Sequence, residues 1–269
     1  IEGKVKKEYF NILHSTSKNY RENNIIILGN SHSVQTYQGI KYNYDLYQNF
    51  NFYNFHIQIH CIINAIKNNK DYCKGLLDFD ERKKFQSGLK NLNNSNIVIL
   101  STRWTEEDLE SFENTIKFLR KMGKKIIIFD NIYDINKSNI YFNKKNLTFV
   151  EKNYINNLFY YEQFLSVNKK ETLTERDEKE ISQKYYNNIQ INRVLMSNTL
   201  AIKSKKNNLD YFNLNLALCD NNKKTCKFKT NENSPIYYDE TGHLTNQGSK
   251  YLFNKVSKQI ISLINQNVK

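Results

Sequence analysis

Ser31 follows the run IIILGN (25–30), in which four aliphatic residues and a glycine give way to polar side chains. A serine hydroxyl becomes a useful nucleophile only when a base takes its proton and a third group holds that base in the right tautomer. Five histidines compete for the role of base. His32 adjoins Ser31, and neighbouring side chains at a strand end point apart, so His32 is expected to pack or brace. His14 falls in an N-terminal helical stretch. His56 and His60 lie on the alternating segment NFHIQIHC (54–61) and read as surface or packing residues. His243 differs: it sits in the loop YYDETGHLTNQG (237–248), with Asp239 and Glu240 just upstream and a helix just downstream to anchor it. Ser31, His243 and one of these carboxylates would support acyl transfer through a covalent intermediate.

Such a site needs strands to carry it. NIIILG (24–29), NIVILSTRW (96–104), KKIIIFDN (124–131) and LDYFNLNLALC (209–219) read as buried strands, and 54–61 as a half-exposed one. Between the second and third buried strands, Thr105 is a good N-cap, Glu106 and Glu107 suit a first turn, and Gly123 is a natural stop. Leu109, Phe112, Ile116 and Leu119 share one face of the intervening helix. A strand, a helix and a strand in that order imply parallel pairing with a right-handed crossover. The fold expected is a three-layer α/β/α domain with a mainly parallel sheet, flavodoxin-like, spanning 1–269 as one domain. Helical elaboration is expected at about 133–208, from segments 149–165 and 175–204, and one final helix over 246–266. Ligands bind at the carboxyl ends of strands in such sheets. That places Asn30, the pair Arg103–Trp104, and Asp130–Asn131 near the chemistry.

Lys and Arg total 40 against 27 Asp and Glu, a net charge of +13. This charge suits an anionic partner or reflects a lysine- and asparagine-rich bias. The lysines are scattered, with no basic stripe interleaved with aromatics, so no nucleic-acid partner is expected. No apolar run is long enough to span a bilayer. With Ile at position 1, the chain is expected to be a piece of a longer protein. The four cysteines form two local pairs, Cys61 with Cys73 and Cys219 with Cys226. Two disulfides would fit an oxidising compartment, against four buried thiols as the alternative. No CxxC is present and the histidines are not spaced for zinc, so no metal is expected.

ILGNSHS with YYDETGHLTNQGSKYL resembles the SGNH (GDSL-like) hydrolase superfamily. More narrowly, the chain resembles the SGNH domain fused behind the membrane domain of acyltransferase family 3 proteins, which O-acetylate bacterial surface glycans. The narrower likeness rests on the G-(D/N)-S-H-S block, VILSTRW, the pair Cys219/Cys226 and HLTNQGS. The resemblance implies Ser31 as nucleophile and His243 as base, with Asp239 as its orienting carboxylate and Glu240 as the alternative. The family's Asp lies three residues before the His, which is Glu240 here; YYD matches the family's aromatic lead-in and favours Asp239. Asn30 replaces the usual Asp of the first block and is expected to brace the turn beside the oxyanion site. Arg103 is expected to bind substrate or developing charge, or else to form a buried ion pair. Trp104 would stack on a sugar or pack. The resemblance further implies a periplasmic location and a covalently linked N-terminal transmembrane acyltransferase domain. It implies a glycan acceptor too, and no cofactor beyond the acyl donor. A carbohydrate O-acetylesterase and a catalytically silent glycan-binding module are the competing readings.

Overall fold

The computed structural model describes residues 23–63, 79–130, 132–135, 173–237 and 241–268. Five strands form one parallel sheet: β1 Asn24–Gly29, β2 Asn51–His56, β3 Ile97–Ser101, β4 Lys125–Asp130 and β5 Asp210–Asn213. Their order is β2-β1-β3-β4-β5. The longer helices described are α1 Ser31–Tyr42, α2 Phe79–Asn94, α3 Glu106–Lys121, α4 Glu175–Asn187, α5 Ile191–Lys206, α6 Asn246–Lys255 and α7 Ser257–Val268.

The central strands are aliphatic on both faces because both faces are covered. In register, Ile27 lies beside Ile99, which lies beside Ile127. Ile25, Ile27, Ile97, Ile99, Ile127 and Phe129 enter one core with Ile40 of α1, Ile181 of α4, and Leu252, Phe253, Ile260 and Ile264 of α6 and α7. The alternating set Ile26, Leu28, Val98, Leu100, Ile126 and Ile128 enters the other. There it meets Leu92 of α2, Phe112, Ile116 and Leu119 of α3, and Leu200 of α5. This is the three-layer α/β/α architecture expected. The chain leaves β1 in one direction and β3 in the other, so a topological switch point opens between their carboxyl ends.

Thr105 caps α3 in a capping box, its hydroxyl accepting from the Asp108 N–H at 3.2 Å while the Asp108 carboxylate accepts from the Thr105 N–H. Other boundaries differ from expectation, each for a local reason. Burial keeps alternating along Phe55, Ile57, Ile59 and Cys61, but β1 ends at Gly29 opposite His56, and past the Ile57 N–H, which donates to the Gly29 carbonyl at 2.8 Å, it offers no further residue. The chain turns there into a short 3-10 helix, Ile59–Cys61. β5 stops at Asn213 because the Asn213 side chain accepts from the Asn215 N–H at 2.9 Å, an Asx turn that starts a helical turn. The segment 175–204 breaks at 188–190 into α4 and α5, and the final helix breaks at Val256 into α6 and α7. A small hairpin, Cys219–Asp220 with Thr225–Cys226, is closed by the Cys219–Cys226 disulfide. Cys61 is also disulfide-bonded. Its expected partner Cys73, the segment 149–165, His14 and Asn131 lie outside the described residues. No described helix is long and apolar enough to cross a membrane.

Candidate active site

The turn from β1 into α1 is set by backbone contact. Gly29 has φ +154°, and a β-carbon there would lie 1.9 Å from the Ser101 carbonyl oxygen of β3. Only glycine lets the two strands close at this point. Asn30 then caps α1, its Oδ1 accepting from the His32 N–H at 3.2 Å. The same oxygen accepts from the Arg103 N–H at 3.1 Å, and Nδ2 donates to the Arg103 carbonyl at 3.4 Å. Asn30 therefore clasps the ends of β1 and β3, and its side chain is committed to bracing rather than to substrate. Ser31 is the first helical residue, exposed at the carboxyl edge of the sheet. Its amide belongs to the first turn, where the helix supplies no acceptor and the dipole favours negative charge.

His243 comes from the other end of the chain. Its Nε2 lies 2.7 Å from Ser31 Oγ, and its Nδ1 lies 2.8 Å from Thr241 Oγ1. The loop is pinned on both sides. Upstream, Tyr237 is buried, stacks on Tyr185 and bridges to Leu244. Burial pushes its phenol pKa up. Downstream, Thr245 donates to the Pro235 carbonyl and caps α6 through the Gly248 N–H. Between them Gly242 turns with φ +77° against the Ile132 carbonyl, where a β-carbon would come within 2.5 Å. The two expected carboxylates, Asp239 and Glu240, lie outside the described residues.

His32 packs, as expected, but by a different route. In an extended strand it would point away from Ser31, but both residues already belong to α1, where successive side chains are only about 100° apart. The His32 ring is 3% exposed and stacks on the His243 ring, centroids 4.6 Å apart and planes 29° apart. His60 also departs from expectation. It sits in the 3-10 helix and bonds Asp108 through Nδ1 at 2.9 Å.

At the end of β3 the two candidates part. Trp104 takes its packing alternative rather than the substrate-binding one: it is 3% exposed, packs against Phe112 and donates its indole N–H to the Phe129 carbonyl, so no face is offered to a sugar. Arg103 is partly exposed and forks onto the buried Asp134 carboxylate, with Nη2 at 2.6 Å. Arg193 of α5 holds the same carboxylate at 2.8 Å and reaches the Trp104 carbonyl. The ion-pair alternative for Arg103 is thus present in the structure. Asp130 is buried and accepts from Ser197 and, at 2.8 Å, from Tyr211, whose phenol pKa is pushed up by burial and by that carboxylate. Arg103, Asp134, Arg193, Tyr133 and Ser197 line one cleft. Thr241, Asp134 and Arg193 carry no motif. Only Asp134's place just past β4 and Thr241's place two residues before His243 could have drawn attention to them.

A model of the family described as SGNH domain (fused to AT3 domains) matches residues 7–258. Among solved structures, the periplasmic domain of the Salmonella ser. Paratyphi A lipopolysaccharide acetyltransferase is similar at 16% identity and a TM-score of 0.57, over 97% of this chain and 96% of that one. A GDSL-like lipase from Bacteroides thetaiotaomicron shares 9% identity at a TM-score of 0.39, over 98% and 97% of the two chains. The acetyl xylan esterase AlAXEase shares 14% at 0.41, over 88% of this chain and 99% of that one. A search of curated proteins finds no match.

Proposed function

Because the chain belongs to the family of SGNH domains fused to AT3 domains, we propose that it transfers O-acyl groups, acetyl foremost, to a bacterial cell-surface glycan through an acyl-enzyme on Ser31. The observation that carries this reading is the 2.7 Å contact between Ser31 Oγ and His243 Nε2 at the switch point of the sheet.

In this mechanism Ser31 Oγ attacks the acyl carbonyl while His243 Nε2 takes its proton. The oxyanion forms beside the first turn of α1, where a well-placed N–H contributes about 3 kcal/mol. The tetrahedral intermediate collapses, His243 returns the proton to the departing oxygen, and the acyl group remains on Ser31. A glycan hydroxyl then attacks the acyl-enzyme, His243 takes that proton, and Ser31 Oγ leaves by recovering it. Asp239, with Glu240 as alternative, stabilises the imidazolium. Arg103, fixed by Asp134 with its outer edge in the cleft, steers the acceptor.

The Cys219–Cys226 disulfide supports an extracytoplasmic site of action, where such bonds persist. The fusion in the family's description supports a linked acyltransferase domain as the source of acyl groups. A second reading, ester hydrolysis, is favoured by the exposure of Ser31, which admits water to the acyl-enzyme.

A fluorophosphonate probe tests the nucleophile. Wild type labels and Ser31→Ala does not; equal labelling of both defeats the proposal. Incubation with an acetyl donor and a candidate glycan then separates the readings: O-acetylated glycan by mass spectrometry marks transfer, free acetate alone marks an esterase.

A further inference from the structure

Among the described residues, three hold the His243 ring. Ser31 and Thr241 take its two nitrogens, and His32 takes its face. Hydrogen bonds at the ring edge leave rotation out of the plane only weakly opposed, whereas a stacked neighbour opposes it directly. The stacking partner is itself immobilised: His32 is buried, belongs to α1, and its N–H is tied by Asn30. His32 therefore offers a fixed aromatic face to the His243 ring.

We propose that His32 is a positioning residue for His243: its stacked ring fixes the plane in which Nε2 faces Ser31 during acyl transfer. This rests on the reading of Ser31 and His243 given above. One and the same block, Ser31-His32, would then supply both the nucleophile and the platform for its base.

The test compares wild type, His32→Leu and His32→Phe. Leucine keeps an apolar side chain at the site without a π-face, and phenylalanine keeps the face. Thermal melting reports folding, and NMR of the His243 ring protons reports stacking through the upfield ring-current shift. Turnover of p-nitrophenyl acetate gives kcat and KM. The shift is expected in wild type, absent in His32→Leu and restored in His32→Phe. For folded His32→Leu, kcat should fall at least tenfold with KM within twofold, and His32→Phe should recover to within about threefold of wild type. The proposal is overturned if wild type lacks the shift. It is overturned equally if folded His32→Leu keeps kcat within twofold, or if His32→Phe restores the shift but not kcat. Wild type that shows the shift yet neither labels at Ser31 nor turns over ester fails the acyl-transfer reading itself, and this inference with it.

Discussion

Thr241 holds the nitrogen of His243 that faces away from the nucleophile, at 2.8 Å. When the threonine oxygen accepts from Nδ1–H, Nε2 is left as the lone-pair acceptor that the Ser31 proton requires. Removing one such bond costs about 1 kcal/mol, or roughly fivefold in rate. Thr241→Val is thus expected to lower kcat about fivefold at unchanged KM in ester turnover, with Thr241→Ser restoring it; an unchanged kcat would show the hydroxyl to be incidental. Asp134 bears on the fold as well as the cleft. It is 1% exposed and pairs with two guanidinium groups at once. Arg103 is 37% exposed and Arg193 16%, so both can still draw on solvent once the carboxylate is gone. Asp134→Asn should therefore cost only about 2 kcal/mol in denaturant unfolding, below the usual penalty for breaking a fully buried pair.

At the scale of elements, the closest approach is that of β1 to β3 at Gly29. A methyl group there would overlap the Ser101 carbonyl, so Gly29→Ala is expected to cost at least ~3 kcal/mol and to abolish fluorophosphonate labelling, read by urea melts and gel fluorescence. The hairpin closed by Cys219 and Cys226 precedes the His243 loop, and Ile236 of that loop's approach bonds Phe228 just beyond it. Replacing Cys219 and Cys226 together by serine should lower stability in urea melts by about 2.5 kcal/mol for a loop of this length. Much of this was legible in the chain. The strands at 24–29, 97–101 and 125–130 are short aliphatic runs ended by turn residues, and α3 has a cap, an apolar face and a stop. What hid was long-range. The end of β2 depends on how far β1 extends beside it, and the end of β5 on one Asn213 side chain. The helix α2 is hard to see in the sequence because, among its described side chains, only Phe85, Leu89 and Leu92 mark an inner face amid lysines and asparagines. In the site, Ser31 and His243 stood out by residue type and setting. Asp134 and Arg193 did not, since their partnership spans 59 residues and no local pattern encodes it.

For the molecule as a whole, alkaline pH probes the packing between layers. Tyr47, Tyr211 and Tyr237 all have phenol pKa values raised above 10.0, chiefly by burial. A raised folded pKa means the folded state keeps protons that the unfolded chain loses. The stabilisation is therefore complete below about pH 10 and drains away as pH rises past it. Melts at increasing pH should show stability falling above that point, and tyrosinate absorbance from these side chains should appear with unfolding rather than before it. Tyr47 reinforces the point, because its hydroxyl donates to the Phe253 carbonyl and so ties the region after α1 to α6. That same docking of the first described helix against a late one joins Ser31 to a base 212 residues later. At ribosomal speeds of about 5–20 residues per second, the serine leaves the ribosome roughly 10–40 s before its histidine. Throughout that interval the nascent chain carries the hydroxyl without its base, so on the acyl-transfer reading no acyl-enzyme forms before residue 243 has been made. Stalled chains ending before residue 243 should not label with a fluorophosphonate, and labelling should begin only once α6 has been made.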